Sequence, residues 1–183
     1  MHASAPSRYP VDPQAPLASF SHCHAAITAQ LEALDGLPAL TEAARRATEV
    51  ARGTIALFKD SVFEHHAEEE RELFPAVLRS AGAGEERERV QGIVDRLICE
   101  HRALEALWKR LEPSVHAIAH GRYDRVDAGL AHHLVRGYLQ HARFEEREFL
   151  PLAEGILQRD GNHMAALGLA LHLRHAPAPV GYI

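Results

Sequence analysis

The chain carries one eleven-residue pattern twice. Residues 65–75 read HHAEEERELFP and residues 141–151 read HARFEEREFLP. Overlaid, His65 matches His141, Glu69 matches Glu145, Glu70 matches Glu146 and Pro75 matches Pro151, each at an offset of 76. A looser pair lies upstream. HAAITAQLEAL at 24–34 and HRALEALWKRL at 101–111 align His24 with His101, Ile27 with Leu104, Leu31 with Trp108 and Leu34 with Leu111, at an offset of 77. A duplication of this kind constrains the fold more than any single motif. Each half supplies one segment with a lone His and a second with His-x-x-x-Glu ahead of a Pro. Two helical hairpins built this way pack into a four-helix bundle.

Periodicity supports helices. Leu130, Leu134, Tyr138, His141, Glu145, Phe149 and Leu152 recur at steps of three and four, which places them on one helix face. Phe58, Val62, His65, Glu69, Leu73 and Ala76 form the matching line in the first half. His and Glu therefore fall on the stripe expected to face the core. The predicted fold is all-α, an up-down-up-down four-helix bundle over residues 17–158. A leader (1–16) precedes it, and a short C-terminal helix and tail (159–183) come after it, with NHMAALGLALHLRH at 162–175 as the helical part. Breakers mark the joints. Asp35-Gly36-Leu37-Pro38 ends the first helix, Ala81-Gly82-Ala83-Gly84 separates the halves, and Gly121 to Asp127 joins the last two helices, with Asp124 or Asp127 as N-cap. The stretch 39–64 is longer than the bundle needs, and a break is expected near Gly53.

Composition removes several function classes. Net charge is -5 and the pI is near 6.3, with no basic stripe, so nucleic acid is not an expected partner. No apolar run reaches the roughly 18 residues of a membrane span. The leader MHASAPSRYPVDPQAP holds Pro6, Pro10, Pro13 and Pro16 but no apolar core, unlike a secretory signal. The two cysteines, Cys23 and Cys99, demand no disulfide and fit a reducing cytoplasm. They flank His24 and His101, and as neighbours on a helix they face elsewhere and are not expected to ligate.

The unusual count is histidine, 14 of 183 residues. Residues four apart on a helix lie roughly 5–6 Å apart at Cβ, so a His and a Glu at that spacing reach one point. Two such pairs facing each other, plus one His from each remaining helix, make a cage of four His and two Glu. That donor mixture suits iron, and less specifically manganese or zinc. Two buried carboxylates facing each other would repel and lose hydration; a pair of cations removes both problems.

His24, His65-x-x-x-Glu69, His101 and His141-x-x-x-Glu145, with LFP and FLP behind the two motifs, resemble the hemerythrin HHE cation-binding family. The resemblance covers about residues 17–158. It implies a four-helix bundle holding two iron ions in an oxo- or hydroxo-bridged centre that binds or reacts with dioxygen. The implied ligands are His24, His65, Glu69, His101, His141 and Glu145, with Glu69 and Glu145 bridging. Two departures separate the chain from the invertebrate oxygen carriers: Glu105 stands where they place a second His, and the longer His-to-Asp spacing of their fourth helix is absent. The sequence leans instead to the bacterial branch.

Several positions stay open at this point. His66 with Glu70 is the competing register, and His66 itself reads as partly exposed. The equal spacing from His65 to Pro75 and from His141 to Pro151 favours His65. Glu105 and Tyr138, the latter one turn before His141, are further candidates beside the centre, with core packing the alternative for Tyr138. Trp108 reads as core. The expected function is binding or sensing of dioxygen or a related small redox ligand, with signalling through a homodimer or a separate partner. A di-iron oxidase, peroxidase-like or iron-donating repair protein shares the same ligands. A metal-free helical interaction module is the third reading.

Overall fold

A computed structural model describes residues 16–123 and 125–159. The described residues contain helices and no strand. They fall into two compact units, 1–47 and 48–183.

The first unit holds α1 (Pro16–Asp35) and the first part of α2 (Leu37–Leu57), separated by Gly36 alone. Asp35 ends the helix where the breaker predicted it. Pro38 sits in the first turn of α2, where its missing N–H costs no helical hydrogen bond. α1 leaves Ile27, Leu31 and Leu34 half or more exposed, whereas their repeat partners Leu104, Trp108 and Leu111 are buried in the second unit.

From Thr48 to Ser80 the helical path runs on through two π turns. The second part of α2 leads into a π turn at Phe58–Val62, α3 (Phe63–Glu68), a second π turn at Glu69–Leu73 and α4 (Phe74–Ser80). The expected break near Gly53 is absent. Gly53 lies in regular helix, and the irregularity comes at Phe58–Val62, as a widened turn instead of a kink. α5 (Glu85–Ala119) returns antiparallel: Arg52 Nε donates to the Ala119 carbonyl at 3.1 Å at one end, and Arg87 Nη2 donates to the Ala81 carbonyl at 2.9 Å at the other. α6 (Ala128–Phe144), a third π turn at Glu145–Phe149 and α7 (Leu150–Leu157) complete the unit.

Local chemistry explains the joints. Gly84 takes φ +88° just before α5, a conformation that a Cβ would strain. Gly121 takes φ +74° after α5, and the Arg122 amide returns to the Ala117 carbonyl at 2.9 Å, closing the helix end. Asp127, not Asp124, is the N-cap of α6; its Oδ1 accepts from the Leu130 amide at 3.0 Å. Asp124 and the helix expected at 162–175 lie outside the described residues.

Two apolar layers hold the second unit. One contains Phe74, Val77, Val94, Leu97, Phe149 and Ile156; the other contains Phe58, Val62, Leu104, Trp108, Leu111 and Leu134. Each fully buried side chain of this size contributes about 1.5–3 kcal/mol. Trp108 is core, as expected, and stacks on Phe58 with ring centroids 4.1 Å apart. Between the layers the same helices change character: buried positions become His66, Glu68, Glu69, His101, His141 and Glu145.

Candidate metal centre

The π turns decide which residues reach this polar layer. A π turn holds one residue more than an α turn, so it rotates the helix beyond it relative to an unbroken α-helical path. From Phe58 onward the buried positions run Phe58, Val62, His66, Glu68, Glu69, Phe74 and Val77. The expected stripe ran through His65. His65 is instead half exposed, and His66 is 1% exposed. The expectation of a partly exposed His66 is thus corrected by the extra residue in the turn. The two later π turns begin at Glu69 and Glu145, the glutamates of the repeated motif. The duplication is therefore structural, and π turns of this kind concentrate at functional sites.

The layer has two poles. Ring nitrogens of His66, His101 and His141 all lie within 4.8 Å of one another, and so do ligand atoms of His65, Glu69 and Glu145. His66 and His101 stack in parallel, centroids 3.8 Å apart, and His141 meets His101 edge-on at 4.8 Å. The poles adjoin. Glu69 lies 3.4 Å from His65 Nε2 through Oε1 and 3.3 Å from His101 Nε2 through Oε2.

Both registers of the HH pair therefore contribute: His65 stands with the carboxylates and His66 with the imidazoles. Glu70, the partner in the competing register, lies behind His101. Glu105 is likewise behind a ring, that of His66. Tyr138 is partly buried, with its ring 6.3 Å from His66 and 6.0 Å from His141. His24 is exposed on α1 of the first unit and is not among the residues the second unit gathers. Cys99 is exposed.

Each buried imidazole is oriented from behind. Nδ1 faces a carboxylate in all three: His66 with Glu105 at 3.4 Å, His101 with Glu70 at 2.8 Å and His141 with Glu100 at 3.0 Å. A carboxylate at Nδ1 fixes the proton there and leaves Nε2 as a lone-pair donor. Nε2 of all three rings, together with Glu69 Oε2, is buried with no hydrogen-bond partner. Buried polar atoms without partners are costly, and these four converging form a donor set that a cation would satisfy. Sequence reasoning missed Glu70 and Glu100 in this role, because they read as ordinary members of charged helix faces.

The electrostatics agree. Burial, the hydrogen bond to Glu69 and the charge of that carboxylate push the Glu145 carboxyl up to about 9. Burial also pushes Glu69 up, but the His101 ring, the Glu145 hydroxyl and His65 outweigh it and hold Glu69 at about 2. Two facing carboxyls thus keep one proton between them. Burial and the neighbouring His101 ring hold His66 down to about 4. Burial likewise lowers His141, against the pull of Glu100. Burial would lower His101 too, but Glu69 and Glu70 raise it. The lowered His66 and His141 favour the neutral imidazole and Glu69 the carboxylate, the forms a metal binds, while the raised His101 gives up its proton on ligating; the donors fit a cation.

The remaining features bound the surroundings. A cavity of about 400 Å³ between α5 and α6 reaches His141 and is lined in part by Leu104, His133 and Gly137. No described helix is long and apolar enough to cross a membrane. No curated protein and no solved structure matches the chain. The family model of the hemerythrin HHE cation-binding domain matches residues 15–153, which includes every residue of both poles and both copies of the repeat. The chain belongs to the hemerythrin HHE cation-binding family.

Proposed function

We propose that the protein is a non-haem di-iron protein with a hemerythrin-like four-helix bundle, and that it binds or senses dioxygen or a related small redox ligand. The observation that carries this reading is the set of three buried imidazoles with Nδ1 on carboxylates and Nε2 unpartnered, beside a proton-sharing glutamate pair. His66, His101 and His141 would hold one ion, and His65, Glu69 and Glu145 the other, with the glutamates between. The iron supplies reversible electron transfer and coordination of a small diatomic molecule. The residues supply the rest: neutral nitrogen donors held in one tautomer, two carboxylates to offset cation charge, and apolar layers above and below that limit water. The cavity beside His141 offers a route for a small molecule.

A second reading, an oxidase or peroxidase-like enzyme at the same centre, draws on Tyr138. Burial, then Glu69 and Glu145, raise its phenol above the ordinary range, so it stays protonated as a donor beside the two poles. One experiment separates the readings. Protein loaded anaerobically with ferrous iron is exposed to dioxygen and then to hydrogen peroxide. A stable new near-ultraviolet band without peroxide turnover supports binding. Catalytic peroxide loss that falls in Tyr138→Phe supports the enzyme. Failure to load iron supports a metal-free helical interaction module.

A further inference from the structure

The carboxylates behind the imidazoles are themselves held by guanidinium groups. Glu100, behind His141, accepts from Arg96 Nε at 2.7 Å, and Arg96 lies 3.4 Å over the Phe144 ring. Glu70 and Glu105, behind His101 and His66, converge on one residue. Arg102 donates through Nη2 to Glu70 Oε2 and through Nη1 to Glu105 Oε1, the latter at 3.2 Å. Two of the three buried rings therefore share a single cation, and those two are the rings stacked at 3.8 Å.

A guanidinium is a rigid planar fork. Its two arms hold Glu70 and Glu105 at a fixed separation. Both carboxylates are 21% exposed, so without the fork each has water to turn to. Resting on the metal-binding reading of this site, we propose that Arg102 is a positioning residue: by clamping Glu70 and Glu105 together it fixes the Nδ1–H tautomer and ring angle of His101 and His66, and so presents both Nε2 lone pairs to a cation. A purely structural role is a poor alternative. The Arg102 side chain is 56% exposed, and exposed ion pairs add little to stability.

The test compares Arg102→Ala, Arg102→Lys, Arg96→Ala and, as a control of the same kind, Arg159→Ala, whose pair with Glu86 at 2.6 Å lies outside the network. Two readouts are used: imidazole nitrogen-15 shifts of the metal-free full chain, which report the tautomer, and titration with cobalt(II) monitored by its visible spectrum. Arg102→Ala is expected to mix the tautomers of His66 and His101 while leaving His141 as in the wild type, and Arg96→Ala to do the reverse. Cobalt affinity in Arg102→Ala is expected to fall about tenfold, the low end for loss of an outer-shell partner, with a changed spectrum. Lysine, a point charge without the fork, restores only part, and Arg159→Ala changes neither readout. Wild-type tautomers at both His66 and His101 in Arg102→Ala would overturn the proposal. So would cobalt affinity and spectrum equal to those of Arg159→Ala. The tautomers decide the clamp by themselves; a wild-type chain that takes up no cobalt overturns the metal reading instead.

Discussion

Glu145 holds a proton that Glu69 has given up, although the two carboxyls face each other and come from equivalent positions of the repeat. The asymmetry comes from their neighbours. Glu69 has His65 and His101 beside it, whereas Glu145 has the charges of Glu69 and Glu146. The pair of carboxyls therefore carries one negative charge and one proton.

That proton sets a pH dependence. The folded Glu145 titrates at about 9, above its ordinary value of 4.5. The folded state binds the proton more tightly, so the contribution is complete below 4.5 and is lost as pH rises through 9. The slope reaches about 1.4 kcal/mol per pH unit at most. Glu69 works in the opposite sense: its contribution is present above 4.5 and is lost as pH falls toward 2. Urea unfolding of chelator-treated protein should show stability falling between roughly pH 5 and pH 9. Glu145→Gln should flatten that fall.

A cation should reverse the loss. It binds the folded cage and not the unfolded chain, so free metal at about a hundredfold excess over Kd stabilises by about 2.7 kcal/mol. For a domain of this size that is roughly 5–10 °C in Tm. Differential scanning fluorimetry with ferrous iron or cobalt(II) should show the shift in the wild type and lose it in His101→Ala, because His101 stands at the junction of the two poles.

The adjacent histidines should separate. His66→Ala is expected to abolish binding at the three-imidazole pole and weaken total uptake at least about tenfold, in line with loss of a direct ligand. His65→Ala should keep the three-imidazole ion and lose occupancy only at the carboxylate pole. Metal-to-protein ratios after dialysis check this. Equal loss in both variants would contradict the division into poles.

Much of the centre is legible in the sequence, up to His65. The repeat places Glu69, Glu145, His101 and His141 in the interior from spacing alone, and all four are buried there. Trp108 is legible as core for the same reason. The π turn at Phe58–Val62 is not, because nothing in FKDSV distinguishes a turn with one extra residue from an ordinary one. One residue of slip exchanges the faces of adjacent histidines. Glu70 and Glu100 are hidden differently: Arg96 with Glu100 reads as a solvated i,i+4 pair, and only the folded bundle puts a buried ring against its other oxygen.

The apolar layers should tolerate loss of the metal better than the metal tolerates loss of the layers. Phe149→Ala removes a fully buried ring that meets Phe74 at 5.1 Å and should cost about 3–5 kcal/mol. Chemical unfolding of the metal-free variant checks the figure. Its cobalt affinity should fall with it, because Phe149 closes the π turn that starts at Glu145.

The most direct measurement is anaerobic titration of chelator-treated protein with ferrous iron, then iron analysis per chain, in the wild type and in His101→Ala. Two irons per wild-type chain and loss of both in the variant are expected. Wild-type protein that retains no iron, or a variant that retains both, would contradict the di-iron reading.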